Sequence, residues 1–74
     1  MADPSTVETI RRLVAAVEHD EPHIGVLSTG EAIAVALVLN RPDLLPRSYH
    51  RILDAVDRLG EDWLTAAIAV QRER

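Results

Sequence analysis

The chain contains no cysteine, so disulfides and thiolate metal sites are excluded and a reducing compartment is allowed. Phenylalanine is absent and the aromatics are Tyr49 and Trp63 alone, so a core has to be aliphatic. Lysine is absent too, and every basic residue is arginine. With the high alanine content, that points to a GC-rich bacterial genome. Glycine is scarce and scattered, at Gly25, Gly30 and Gly60, which leaves no glycine-rich loop to cradle a phosphate. Positive charge is in deficit. The net charge of −4 argues against a general attraction to nucleic acid or anionic membranes, though a local basic patch is compatible with it. The apolar run from Ala32 to Leu39 is far short of the ~20 residues that span a bilayer. Met1-Ala2-Asp3-Pro4 has neither the basic start nor the apolar core of a signal peptide, so the expected location is the cytoplasm.

What is present is hydrophobic and helical. A chain of 74 residues that is 47% hydrophobic reads as a single helical domain over 1–74. Domains of this size bury only about 60% of the surface their unfolded chains expose, and oligomerisation is a common supplement. No period-two strand pattern, internal repeat or low-complexity tract occurs. The expectation is an all-α, compact four-helix single domain built around a central apolar helix.

The first helix is predicted over about 5–19. Ser5 and Glu8 have capping-box spacing, and Val7, Ile10, Leu13, Val14 and Val17 form one stripe. Glu18-His19-Asp20-Glu21 ends it ahead of Pro22. Residues 20–27 then read as a loop from which Ile24, Val26 and Leu27 fold back onto the core. The second helix, about 28–39, opens on a further capping box, Ser28 with Glu31. It has no polar face, so other elements or a second chain must enclose it. Asn40 suits a left-handed cap and Pro42 blocks continuation. Ala32 and Ala36, four apart, make a strip where another backbone can approach closely, from within the fold or across a dimer seam.

The third helix is predicted over about 45–59, with Pro46 in its first turn. Leu45, Tyr49, Ile52, Leu53, Val56 and Leu59 lie on its inner face, opposite Arg47, His50, Arg51, Asp54, Asp57 and Arg58. The fourth, about 61–72, starts acidic and ends on arginine, as the helix dipole favours. Its apolar arc of Trp63, Leu64, Ala66, Ala67, Ile68 and Val70 is wider than the ~100° stripe of a surface helix.

Chemistry is hard to find. The run from Glu18 to His23 holds two imidazoles and three carboxylates, but Pro22 separates the histidines and prevents the paired arrangement of a helical zinc site. It reads as a solvated helix end, and no metal or other cofactor is expected. Ser5, Ser28 and Ser48 stand where caps explain a hydroxyl. Asp54 and Asp57 lie beside arginines on an exposed face. No catalytic residue is assigned and no enzymatic activity is expected.

Two binding functions fit. In the first, the surplus of apolar helix surface belongs to a non-catalytic protein–protein interaction module, such as a small regulatory adaptor. Its surface is expected at Trp63, Leu64, Ala67, Ile68, Ala32 and Ala36, with a homodimer or another protein as partner. The alternative is a helix-turn-helix DNA-binding regulator in which the start of helix 45–59 presents Arg47, Ser48, His50 and Arg51, with Arg41 on the backbone. Asp54 and Asp57 share that face and repel phosphates, which makes nucleic acid the lesser expectation.

Overall fold

The fold follows from the need to enclose one all-apolar helix. The structure, a computed structural model, describes residues 2–74. Helix α2 (Thr29–Val38) lies at the centre, with Ala32 to Ala36 and Val38 all buried. It packs against α1 (Pro4–His19), α3 (Ile52–Leu59) and α4 (Glu61–Arg72), and the short 3₁₀ turn Pro42–Leu44 closes on it as well. The all-α architecture expected from the sequence is present, and no strand occurs among the described residues. No described helix is long and apolar enough to cross a membrane.

Local chemistry sets the helix ends. Ser28 and Glu31 form the capping box: the Ser28 hydroxyl accepts from the Glu31 amide at 3.3 Å, and the Glu31 carboxylate accepts from the Ser28 amide at 2.9 Å. At the other end of α2, Asn40 takes a left-handed conformation with φ of 55°. Its amide donates to Leu37 O at 3.1 Å, and the Arg41 amide donates to Ala36 O at 2.9 Å. That pair of bonds is a Schellman motif, which satisfies carbonyls the helix would otherwise leave open. The start of α1 differs from expectation. Asp3, not Ser5, is the cap, accepting from the Thr6 amide at 3.2 Å, and Pro4 is the first helical residue.

Two connecting stretches also differ. Residues expected as a loop form a 3₁₀ segment, Glu21–Val26, started by Pro22. Ile24 and Leu27 pack against the core as expected, but Val26 is 74% exposed and does not. The larger correction concerns the third helix. Residues 45–51 are not helical in the α sense: Pro46 is extended, Arg47–Tyr49 is a 3₁₀ turn and Arg51 is extended again. The α-helix starts only at Ile52. Leu45 is buried and Tyr49 half-buried, so this stretch still serves the core, but by a tighter path than an α-helix allows.

The core joins Ile10, Val14 and Val17 of α1 to the α2 residues, to Ala55 and Leu59 of α3, and to Ala66, Ala67 and Val70 of α4. Helices α1 and α4 run side by side in the same direction. Their starts flank one surface depression lined by Asp3, Thr6, Glu61 and Asp62. Arg11, midway along α1, bonds Glu73 just after α4 (2.7 and 3.0 Å), and Arg74 pairs with Glu18 near the end of α1. Gly60 joins α3 to α4 at φ of 86° and ψ of 162°, a conformation open to glycine and closed to other residues.

Candidate interaction groove

Helix α3 is held to the core by a narrow contact. Ala55 and Leu59, four residues apart, are its buried residues. The remaining apolar side chains face away: Leu53 is 81% exposed and Ile52 48%. Val56 is half-buried at the margin, where α3 meets α4. Placing Ile52, Leu53 and Val56 on an inner face with Leu59 is therefore corrected. Once the α-helix starts at Ile52, its register turns Ala55 inward and Leu53 to solvent.

Beside these residues lies a shallow apolar groove of about 170 Å³. Leu37 and Val38 of α2 line it, with Val56 of α3 and Leu64, Ala67, Ile68 and Gln71 of α4. Gln71 is the sole polar lining residue, and Ile68 is 40% exposed at the border. The groove and the Ile52–Leu53 ridge adjoin, because residues 52 and 53 stand one turn before Val56 on the same helix.

The interface residues expected from sequence divide here. Leu64, Ala67 and Ile68 line the groove, with Ala67 forming buried wall and Ile68 accessible rim. Trp63 does not line it. The indole packs half-buried against the core on another side of α4, bordering the depression that holds Asp3, Thr6, Glu61 and Asp62. Ala32 and Ala36 are buried within the chain, so the small-residue strip serves packing inside the fold and is not a surface. Leu37, Ile52, Leu53 and Val56 were missed. Their signal is the breadth of apolar residues in α3. Ile52, Leu53, Ala55, Val56 and Leu59 cover more of a helix than one core contact can hide.

The residues of the nucleic-acid reading are not brought together on a recognition helix. Arg47, Ser48 and His50 sit in and just after a 3₁₀ turn, and Arg51 is the extended residue ahead of α3. His50 Nδ1 lies 3.1 Å from Arg47 O. Arg41 is held by carboxylates, donating to both oxygens of Asp43 at 2.9 and 2.7 Å and pairing with Glu21 at 3.1 Å. These bonds push the Asp43 carboxyl below its ordinary pKa, the hydrogen bond from Arg41 being the main cause. A guanidinium so occupied is a poor phosphate ligand. The Glu18–His23 run is similarly engaged, with Glu18 on Arg74 and Glu21 on Arg41. No group of three or more metal-ligating side chains converges among the described residues.

The ion pairs are distributed unevenly. All of those found within the described residues involve α1, the residues after α4, or the Glu21–Asp43 neighbourhood. Arg51, Arg58 and Arg72, like Asp54 and Asp57, make none among the described residues, and Arg58 lies beside Gly30 and Glu31 at the start of α2. No family model, curated protein or solved structure matches the chain.

Proposed function

We propose that the protein is a non-catalytic protein–protein interaction module, a small adaptor, that binds its partner through the α3–α4 groove. The observation that carries this reading is an apolar groove lined by exposed Ile68 and by Val56, with exposed Ile52 and Leu53 one turn before Val56 on the same helix. Single exposed hydrophobic residues are ordinary on protein surfaces; a contiguous apolar patch bordered by charge is the mark of an interaction site. Burying a leucine is worth about 1.5–3 kcal/mol relative to leaving it in water. A partner covering this ridge therefore gains affinity with little rearrangement. The arginine-only, alanine-rich composition supports a bacterial source in this reading, and the lack of cysteine is compatible with the cytoplasm.

The test is site-directed photo-crosslinking in cells of the native host. A photoreactive residue at position 53 is expected to give discrete protein adducts. The same residue at position 26, exposed on the 3₁₀ segment Glu21–Val26, is expected to give none. Equal labelling from both positions, or no adduct from position 53, overturns the proposal.

A further inference from the structure

We infer that residues 46–59 form a hinged flap, one wall of the α3–α4 groove, which detaches from the core as a unit while the rest of the fold stays closed. As a control on the groove this rests on the binding role proposed above; as a motion it rests on packing alone.

The first ground is what holds the segment in place. Among the described residues, its hydrogen bonds start and end within 46–60. The Tyr49 amide donates to Pro46 O at 2.8 Å, the Ala55 amide to Arg51 O at 2.9 Å and the Gly60 amide to Val56 O at 3.3 Å. His50 Nδ1 meets Arg47 O, also inside the segment. None of its residues is in an ion pair among the described residues. Arg58 comes to 3.8 Å from where a Cβ on Gly30 would stand, without pairing with Glu31. Other elements are tied by charge: α1 to the residues after α4, and Glu21 to Arg41. The flap is held by apolar contact alone. Ala55 and Leu59 are buried, Tyr49 and Val56 half-buried, and Ile52 and Leu53 contribute little because they face water. Alanine covers little area, so Leu59 is the main anchor.

The second ground is the two ends. Leu45 is buried and its amide bonds Pro42 O, which fixes the chain just before the segment. Pro46 follows in extended backbone and has no amide to donate. On the far side, Gly60 O accepts from the Leu64 amide and so belongs to the start of α4. Gly60 is the joint: glycine turns freely about its backbone, and nothing lies within 4 Å of its missing Cβ to block the swing. Hinges of this kind are a few residues at element ends that absorb the change in φ and ψ.

The third ground is length. Helix α3 has eight residues and no side-chain cap at Arg51. A helix so short does not persist in water by itself, so undocking and loss of helix occur together and the segment opens as one unit. Opening withdraws Val56 from the groove and uncovers the α2 and α4 surface beneath Ala55 and Leu59. The shallow groove then becomes a cleft floored by the central helix.

Hydrogen exchange of the unsubstituted chain, followed by NMR in low urea, tests the flap. Amides from Ala55 to Gly60 are expected to exchange about ten-fold or more faster than those of Ile33 to Val38 in α2, with one shared opening free energy that falls as urea is added. Exchange of both groups only with global unfolding overturns the flap. Graded rates that ignore urea, the sign of fraying residue by residue, overturn it too. The chain has no cysteine, so an introduced one is its sole thiol. Ala55→Cys is expected to react with iodoacetamide about ten-fold or more faster than Ala66→Cys, although both alanines are fully buried. Equal rates count against the flap. The position-53 crosslinks separate the two claims. Adducts together with uniform exchange overturn the flap and leave the groove as a binding site; fast, shared exchange without adducts supports the motion and overturns the binding role.

Discussion

At the scale of the residue, the chain is governed by its caps and by one glycine. Gly60 holds φ of 86° and ψ of 162° with nothing within 4 Å of where a Cβ would stand. Space is therefore not the obstacle to substitution; backbone conformation is. Gly60→Ala is expected to lose about 1–3 kcal/mol in urea denaturation, and a neutral effect would refute the strain argument. Ser28→Ala should lose about 1 kcal/mol by opening the capping box at the head of the central helix. Both the Ser28–Glu31 box and the left-handed Asn40 were legible in the sequence, because a cap depends on a few neighbouring residues. The start of α1 was misread at Ser5, two residues past the cap at Asp3. Pro4 decides it: a proline favours the first helical position and holds the residue before it in extended backbone, which suits Asp3 as cap.

At the scale of the element, the informative failure is the third helix. Spacings of three and four residues link Leu45, Tyr49, Ile52, Val56 and Leu59, and a continuous α-helix satisfies all of them. Successive 3₁₀ turns bring Leu44, Leu45 and Tyr49 to the same core with fewer residues in α geometry, and hydrophobic periodicity does not separate the two. Pro42 and Pro46 were the available warning, since each fixes its own φ and removes an amide donor. By contrast, α2 was readable almost to the residue, because a helix without a polar face has one possible place in a small domain. The exposed ridge was not readable, since it depends on a register set by where α3 begins. Two leucines on that helix now make opposite predictions. Leu59→Ala is expected to lose about 2–5 kcal/mol. Leu53→Ala is expected to stay within about 0.5 kcal/mol when unfolding is measured at low micromolar concentration, where association contributes least. Similar losses at both positions would mean that Leu53 belongs to the core.

At the scale of the whole molecule, exposed ion pairs tie the residues after α4 to α1. Hydrogen bonds from Arg74 and Arg11 lower the pKa values of Glu18 and Glu73 respectively. A carboxylate whose folded pKa is depressed adds stability that is present above its unfolded pKa, near 4, and lost as pH falls through the folded value. The urea midpoint is thus expected to be level from neutrality to about pH 5 and to drop below about pH 4. Glu18→Gln combined with Glu73→Gln should lower the neutral value by as much as it flattens that drop, and both changes should be small, because exposed pairs are worth little. An unchanged acid limb in the double variant would assign the pH dependence to other carboxylates.

The parallel pairing of α1 with α4 also bears on the order in which the chain folds during synthesis. The apolar stripe of α1 emerges from the ribosome some sixty positions ahead of the helix that lies alongside it. Most of the intervening apolar sequence, α2 above all, must wait in a partly collapsed state until α4 is free. Closure between α1 and α4 carries the loop entropy of some sixty residues, so folding of this domain is expected to be all-or-none and to follow release of α4. A nascent chain stalled before α4 should accordingly remain accessible to protease throughout, including the helix that ends up most deeply enclosed.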